Sequence, residues 1–306
     1  MVRIEIDPGA GFCFGVEKVI GKAESMLKEG EKVYTLGEMI HNTAEMNRLH
    51  SLGMQTLDHG DLSSLKPEAI LIRAHGEPPS TYKLAEKLHI RVIDGTCPIV
   101  IRLQKKIRQA YEGMDRDREQ LVIFGKEDHP ETVGHLGQVS GDAVVIGSPE
   151  EIAKVDPGKR VLLFSQTTMD PDLFREVEER LGAYLKKHRE AFPEKSPDAS
   201  PGNDPEPLLR SSCTICGQMK KRKPGLAAFA RKHDLMLFVS GRHSSNGKML
   251  YQFCRSVNPN TYWISGAGEI DPAWLDGVTS IGVSGATSTS IDQLESVAGQ
   301  LRKIAP

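Results

Sequence analysis

The chain has 306 residues, 39% of them hydrophobic and 26% charged, with a formal net charge of −2. That length suggests two or three domains, and the near-neutral balance excludes a global basic field that would gather nucleic acid. No apolar run approaches the roughly 18 residues of a membrane span, and the opening MVRIEID reads as a strand rather than a secretory signal, so the expected compartment is cytoplasmic.

In chain order one unit recurs: a short apolar or β-branched strand, a loop of Gly and small polar residues, then an amphipathic helix. VRIEID, PGAGFC and FGVEKVIGKAESMLKEG come first; KVYTL, GEMIHN and TAEMNRLHSLG follow; AILIR, AHGEPPS and TYKLAEKLH are third. RVID, GTCP and IVIRLQKKIRQAYEG make the fourth; QLVIFG, KEDHPE and TVGHLGQ the fifth; RVLLF, SQTTMDP and DLFREVEERLGAYLKKH the sixth. The seventh is degenerate, with no clear strand before SSCTIC, although KKRKPGLAAFARKH reads as a helix. LMLFV, SGRHSSN and GKMLYQFCRSV are the eighth, and SIGVS, GATSTS and IDQLESVAGQLRKI the ninth.

Strands alternating with helices imply parallel sheets built from crossover connections, and ligands bind at the carboxyl ends of such strands. All nine loops belong to that end. Their distinctive residues, in order, are Cys13, His41, His75; Cys97, His129 with Glu131, Thr167; Cys216, the Ser244–Ser245–Asn246 run, Ser288. Three groups, each opening with a cysteine, predict an α/β protein of three small parallel-sheet domains in a pseudo-threefold arrangement, their loops converging on one centre. The expected domains are 1–96 with Cys13, His41 and His75; 97–190 with Cys97, His129, Glu131 and Thr167; and 211–306 with Cys216, Ser244, Asn246 and Ser288. Between them, 191–210 carries Pro193, Pro197, Pro201, Pro205 and Pro207 and almost no large apolar residue, which predicts a flexible linker.

Five cysteines in such a chain suggest metal or catalytic use rather than a disulfide framework. A buried cysteine is often only a small hydrophobe, and Cys254, on an apolar helical face, is read that way. Cys13 and Cys97 stand between a strand and a helix start, where free N–H groups stabilise a thiolate. Cys213 and Cys216 form a Cys-x-x-Cys pair without the second close pair that a structural zinc needs. One of the two is assigned to the same set; Cys216, immediately before the helix, is favoured, and Cys213 is the alternative. Three thiolates suit a [4Fe-4S] cluster with one iron left open, since such irons ordinarily take four cysteines.

A lone His is usually structural, but His41, His75 and His129 occupy equivalent loops. Ser244, Ser245, Asn246 and Ser288 are helix caps by type, and a capped helix start is also an anion site. Together they suit a diphosphate. Glu131, beside His129, fits general acid–base work, and Thr167 a proton relay or an orienting hydroxyl. No nicotinamide or flavin motif of the GxGxxG type opens a helix.

GFCFGV, MIHN, RAHG, GTCP, DHPE, SQTT, TIC, SSN and ATSTS, in that order, resemble the 4-hydroxy-3-methylbut-2-enyl diphosphate reductase family, from about Ile4 to the C-terminal helix. The resemblance implies three α/β domains around a [4Fe-4S] cluster held by Cys13, Cys97 and Cys216. It implies substrate contacts from His41, His75, His129, Thr167, Ser244, Ser245, Asn246 and Ser288, with Glu131 as proton donor. The activity it implies is reductive dehydroxylation of an allylic diphosphate to isopentenyl and dimethylallyl diphosphate, the last step of the non-mevalonate isoprenoid pathway. Electrons would come from an external carrier such as a ferredoxin or flavodoxin, with no nucleic acid or membrane partner. Two rival readings are a dehydratase resembling quinolinate synthase, which would consume no electrons, and a non-catalytic iron–sulfur sensor, to which Glu131 would not matter.

Overall fold

The computed structural model describes residues 2–192 and 207–304. Among these residues twelve strands form three four-stranded sheets, and every strand pair within them is parallel. The expected α/β class is therefore observed. The segment expected as a linker lies, from 193 to 206, outside the described residues.

One sheet contains β2 (Tyr34–Leu36), β3 (Gln55–Leu57), β4 (Ala69–Ile72) and β5 (Arg91–Asp94), in the order β3-β2-β4-β5. A second contains β6 (Glu119–Phe124), β7 (Val144–Ile146), β8 (Arg160–Ser165) and β9 (Leu209–Ser211), in the order β7-β6-β8-β9. The third is built from β10 (Leu235–Val239), β11 (Thr261–Ile264) and β12 (Ser280–Gly285), and its fourth strand is β1 (Arg3–Ile6), in the order β11-β10-β12-β1. Numbered within its own sheet, each of the first two follows 2-1-3-4, and so does the third when β1 is counted last. The chain repeats one topology three times, and its first strand closes the last sheet.

Two expected boundaries need correcting. The domain expected over 1–96 does not keep β1, which pairs with β12 from Arg3↔Ser280 to Ile6↔Val283. The degenerate seventh unit does have a strand, β9, which pairs with β8 and so belongs to the second sheet, not to a third domain beginning at 211. Both are edge strands, half-exposed or exposed along their length; their short runs carry too little apolar patterning to name a partner. The cysteine therefore ends each group rather than opening it: Cys97 follows β5, Cys216 follows β9 and Cys13 follows β1.

The chain divides into two compact units. The first, drawn from Met1–Ala74, Ala85–Cys97 and Lys220–Pro306, holds the first and third sheets. Its cores lie under α1 (Phe14–Lys28) and α2 (Thr43–Ser51), where Val19, Met39, Leu49 and Leu71 pack together, and under α10 (Ile291–Ile304), where Leu237, Val283, Leu294 and Val297 do. The other unit, drawn from His75–Leu84 and Pro98–Met219, holds the second sheet. There α5 (Pro98–Glu112) and α6 (Pro130–Gln138) cover β6 through Leu103, Ile107, Ile123 and Val139, while Phe174 of α7 (Pro171–Ala191) meets Phe124 at 6.1 Å between ring centroids. Full burial of each such side chain contributes about 1.5–3 kcal/mol. The central strands β4, β10 and β12 are buried from end to end, as parallel strands covered on both faces must be.

Candidate functional site

In the first unit, Cys13 is the N-cap of α1, directly before its first residue, and Cys97 stands in the same place before α5. Gly15 lies so close to Cys97 that a methyl group there would sit 2.8 Å from its sulfur. The two thiols feel each other: burial pushes the Cys13 thiol up, the Cys97 sulfur adds to that, and the Val16 and Gly15 amides pull it down without reversing the balance.

The Cys13 N–H donates to Thr287 O at 3.1 Å, and the Thr287 N–H donates to Asn246 Oδ1 at 3.3 Å. Ser288, next in the chain, lies with its hydroxyl 3.4 Å from that of Ser244, and Ser244 caps α9 (Ser245–Val257) by accepting from the Gly247 N–H at 3.1 Å. Asn42 closes the circuit. Its amide donates to Ser288 O and Gln293 Oε1, each at 2.8 Å, while its own oxygen accepts from the Glu45 N–H at the start of α2. His41 precedes it, half-buried, with Nδ1 3.6 Å from the Glu38 carboxylate. Burial holds the His41 imidazole below its ordinary pKa, against the pull of Glu38 and with help from Arg73 and His243. A side chain at Gly241, in the loop after β10, would strike His41 O at 2.3 Å, so only glycine allows this approach. The structure thus brings Cys13, Cys97, His41, Ser244, Asn246 and Ser288 into one unit, and Ser245 begins α9 beside them.

The second unit holds the other expected residues. His129 is the N-cap of α6; its Nδ1 accepts from the Glu131 N–H at 3.1 Å, and its ring meets His75 edge-on at 5.1 Å. Glu131 is 1% exposed. Its Oε1 accepts from the Thr167 N–H at 2.7 Å and lies 3.2 Å from His135 Nε2; its Oε2 accepts from the Thr167 hydroxyl at 2.8 Å. Burial raises the Glu131 pKa, but His135, the Thr167 amide and His129 together outweigh it and hold the carboxyl below its ordinary value. The donors around it therefore favour the ionised carboxylate. The Thr167 carbonyl accepts from the Cys216 N–H at 2.9 Å.

Cys216 directly precedes α8 (Gly217–Ala230), and its sulfur accepts from the Met219 N–H at 3.5 Å. Cys213 is exposed, three residues upstream. Between them Thr214 ties the loop to β8 by bonding both the amide and the carbonyl of Ser165. Cys254 is fully buried and its thiol is pushed up to about 11 by burial, as a core cysteine's would be. None of the five cysteines is in a disulfide.

The residues that the sequence reading passed over are supports. Asn42 holds His41's neighbour to Ser288, and Thr287 bridges Cys13 and Asn246. His135, wholly buried one helical turn after Glu131, was signalled only by its i, i+4 spacing.

Comparison with known proteins adds the family. The family described as LytB protein matches residues 4–302. A 4-hydroxy-3-methylbut-2-enyl diphosphate reductase of Bacteroides thetaiotaomicron is 47% identical over 289 residues, 94% of each chain. One of Chloroherpeton thalassium is 38% identical, covering 98% of this chain and 96% of its own. A solved (E)-4-hydroxy-3-methyl-but-2-enyl diphosphate reductase, described as the terminal enzyme of the non-mevalonate pathway, is 32% identical, with a TM-score of 0.67 over 99% of this chain and 100% of its own. The Plasmodium falciparum reductase, 20% identical, shares the fold at a TM-score of 0.80, covering 98% of this chain and 88% of its own. With a family match over nearly its whole length and relatives well above 30% identity, the chain belongs to the LytB protein family.

Proposed function

We propose that this protein is an oxidoreductase that reduces (E)-4-hydroxy-3-methylbut-2-enyl diphosphate to isopentenyl and dimethylallyl diphosphate. In balance, one allylic alcohol takes two electrons and two protons; the C–O bond breaks, the oxygen leaves as water, and the second proton adds to carbon. The observation that carries the reading is the placement of Cys13, Cys97 and Cys216. Each follows the edge strand at the same end of its sheet's order (β1, β5 or β9) and directly precedes a helix, a position that neither Cys213 nor Cys254 shares.

The donor set fits an iron–sulfur cluster. Burial, with the Cys97 sulfur adding to it, disfavours the Cys13 thiolate, and a cation bound there would relieve that. The Met219 amide supplies a donor to the third sulfur, Cys216. Cys13, Cys97 and Cys216 would hold the cluster, which when bound supplies single electrons and one open, Lewis-acidic iron. The cluster's electrons would come from a soluble carrier of the ferredoxin or flavodoxin class in the cytoplasm.

The rest of the work belongs to the chain. His41, Ser244, Ser245, Asn246 and Ser288, with His75 and His129, bind the diphosphate through imidazole, hydroxyl and amide groups, and the N-terminus of α9 adds its dipole. An anionic ligand favours the protonated carboxyl, so binding works against the donors that keep Glu131 ionised. Protonated at Oε2, Glu131 passes its proton to the Thr167 hydroxyl, which hands its own to the departing oxygen.

The test is anaerobic turnover with a measured supply of electrons, alongside iron content. Cys13→Ser, Cys97→Ser and Cys216→Ser should each lose iron and activity, and Cys254→Ala should keep both. Product formed without electron consumption would favour the dehydratase reading. Iron lost in Cys213→Ser but kept in Cys216→Ser would move the third ligand.

A further inference from the structure

His135 lies on α6 one turn beyond Glu131, with 0% of its side chain exposed, and the reaction as described has no use for it. Its Nε2 is 3.2 Å from Glu131 Oε1, and its Nδ1 has no hydrogen-bond partner among the described residues. A buried imidazole with one nitrogen on a carboxylate and the other on nothing is not an ordinary core histidine. A residue there only for packing could be an apolar one of similar size and would leave no polar atom unmatched.

The contacts decide which nitrogen carries the proton. Oε1 accepts the Thr167 N–H, and Oε2 accepts the Thr167 hydroxyl. A carboxylate surrounded in this way requires Nε2 to be a donor. Donation from Nε2 lets Nδ1 be a bare lone pair, whereas the opposite tautomer would bury an N–H with no acceptor, the rarer kind of orphan. The two carboxylate oxygens are consequently unlike. Oε1 is held by two donors fixed to the frame, a backbone amide and a ring set into the helix. Oε2 meets one hydroxyl, which can rotate.

We propose that His135 is the positioning residue of Glu131: its Nε2–H and the Thr167 amide pin Oε1, so that the proton Glu131 exchanges is carried by Oε2 and faces the Thr167 hydroxyl. This rests on the reading of Glu131 as proton donor. Without His135 the carboxyl group keeps a single fixed donor and can turn about its terminal torsion, which delivers the proton in the wrong direction for part of the time. Misplacing a reacting group by about 1 Å can cost on the order of 10²-fold in rate, so a loss of about 10- to 100-fold in kcat is expected, with KM hardly changed.

Amide variants of two lengths test it. His135→Gln places an N–H near the position of Nε2; His135→Asn has the same chemistry but is too short to reach Oε1; His135→Leu fills the space without a donor. Each is compared with Glu131→Gln for kcat, KM and iron content. In each His135 variant freed of iron, the carboxylate infrared bands of Glu131 are assigned by difference from the same variant carrying Glu131→Gln. The expected result is that His135→Asn and His135→Leu lose kcat by about 10- to 100-fold at constant KM and move the Glu131 bands, while His135→Gln stays within about threefold and leaves them in place. Should His135→Leu fail to fold, the Asn and Gln pair decides the matter alone. The proposal is overturned if Asn and Gln behave alike, if the loss falls on KM, or if the bands stay in place in His135→Asn. Glu131→Gln separates the two readings. If it is inactive while His135→Asn is fully active, only the positioning role fails; if it is active, Glu131 is not the donor and both fail.

Discussion

Replacing Glu131 by Gln removes an acidic proton from the network while leaving its hydrogen bonds countable. The side chain is 1% exposed and receives the Thr167 N–H, the Thr167 hydroxyl and His135 Nε2. A carboxamide oxygen can keep the amide and the imidazole on one side, and its NH2 can donate to the Thr167 hydroxyl, which turns to accept. The backbone amide and the imidazole keep their acceptor, leaving the second amide N–H and the turned hydroxyl to be placed, so the cost should be about 1–3 kcal/mol, well short of the loss of all three contacts. Alanine would be a poor probe, because three buried donors left without an acceptor would cost about 1–3 kcal/mol each, a large part of the roughly 5–15 kcal/mol that holds a protein folded. A positioned general acid contributes about 10²–10⁴-fold, or about 2.7–5.4 kcal/mol of barrier. Glu131→Gln should therefore melt within a few degrees of wild type, retain its iron, and lose at least about 100-fold in kcat at saturating reductant. Turnover within about threefold of wild type would refute the role and direct attention to His129 or to the substrate's own diphosphate.

Two further outcomes concern the frame. The Asp234 carboxylate accepts from the Thr279 amide at 3.0 Å, the Thr279 hydroxyl at 2.6 Å and the Ser280 amide at 2.9 Å, and the Thr279 hydroxyl leads the bonds that hold its pKa at about 2. Because the folded value is depressed, its contribution is complete above the unfolded value of about 3.9 and is lost as pH falls through about 2; the melting difference between wild type and Asp234→Asn should be constant from pH 7 to 5, shrink below that and disappear by about pH 1. Phe174, 1% exposed against Phe124, should cost about 3–5 kcal/mol on replacement by Ala; denaturant unfolding should show a lower midpoint, and an unchanged midpoint would mean that α7 contributes little to the second sheet.

The central strands were legible because they are buried on both faces and therefore read as continuous apolar runs: AILI in β4, LMLFV in β10, RVLLF entering β8. Of the edge strands, β1 and β5 were read as VRIEID and RVID, but the other four were not. QTL in β3, VVI in β7, LRS in β9 and TYWI in β11 are three or four residues long and lack a full alternation. The loops were legible for the opposite reason, since Cys, His and Ser–Asn runs between a strand and a helix stand out against their surroundings. What a loop's neighbours would be was not. Asn42 was simply the residue after a histidine, yet its amide ties two loops 246 residues apart in the chain. The state of Glu131 was open to misjudgement as well. Burial alone suggests a protonated acid, and it takes the count of donors around it to show that the carboxylate prevails.

The closing of the third sheet by β1 has a consequence for how the cysteines come into place. Cys97 and Cys216 each follow a strand that comes after its sheet partners in the chain, so both loops can form as their own segments fold. Cys13 follows a strand whose partner among the described residues, β12, lies about 277 residues later. Loop closure over that separation must be met by contacts formed at the junction. Those contacts are present. Asp7, at the end of β1, pairs with Arg222 of α8 at 2.7 Å and accepts from the Ser284 hydroxyl of β12 at 2.9 Å, and both charged side chains are buried. Arg222 reaches the same serine at 2.7 Å, so one guanidinium holds the first strand, the last strand and the helix that follows Cys216. A buried pair of this kind is costly to break, at about 3–5 kcal/mol for loss of one partner, and it sits six residues before Cys13. Following a strand that must wait for β12, Cys13 is expected to come into position late, and the proposed ligand set with it.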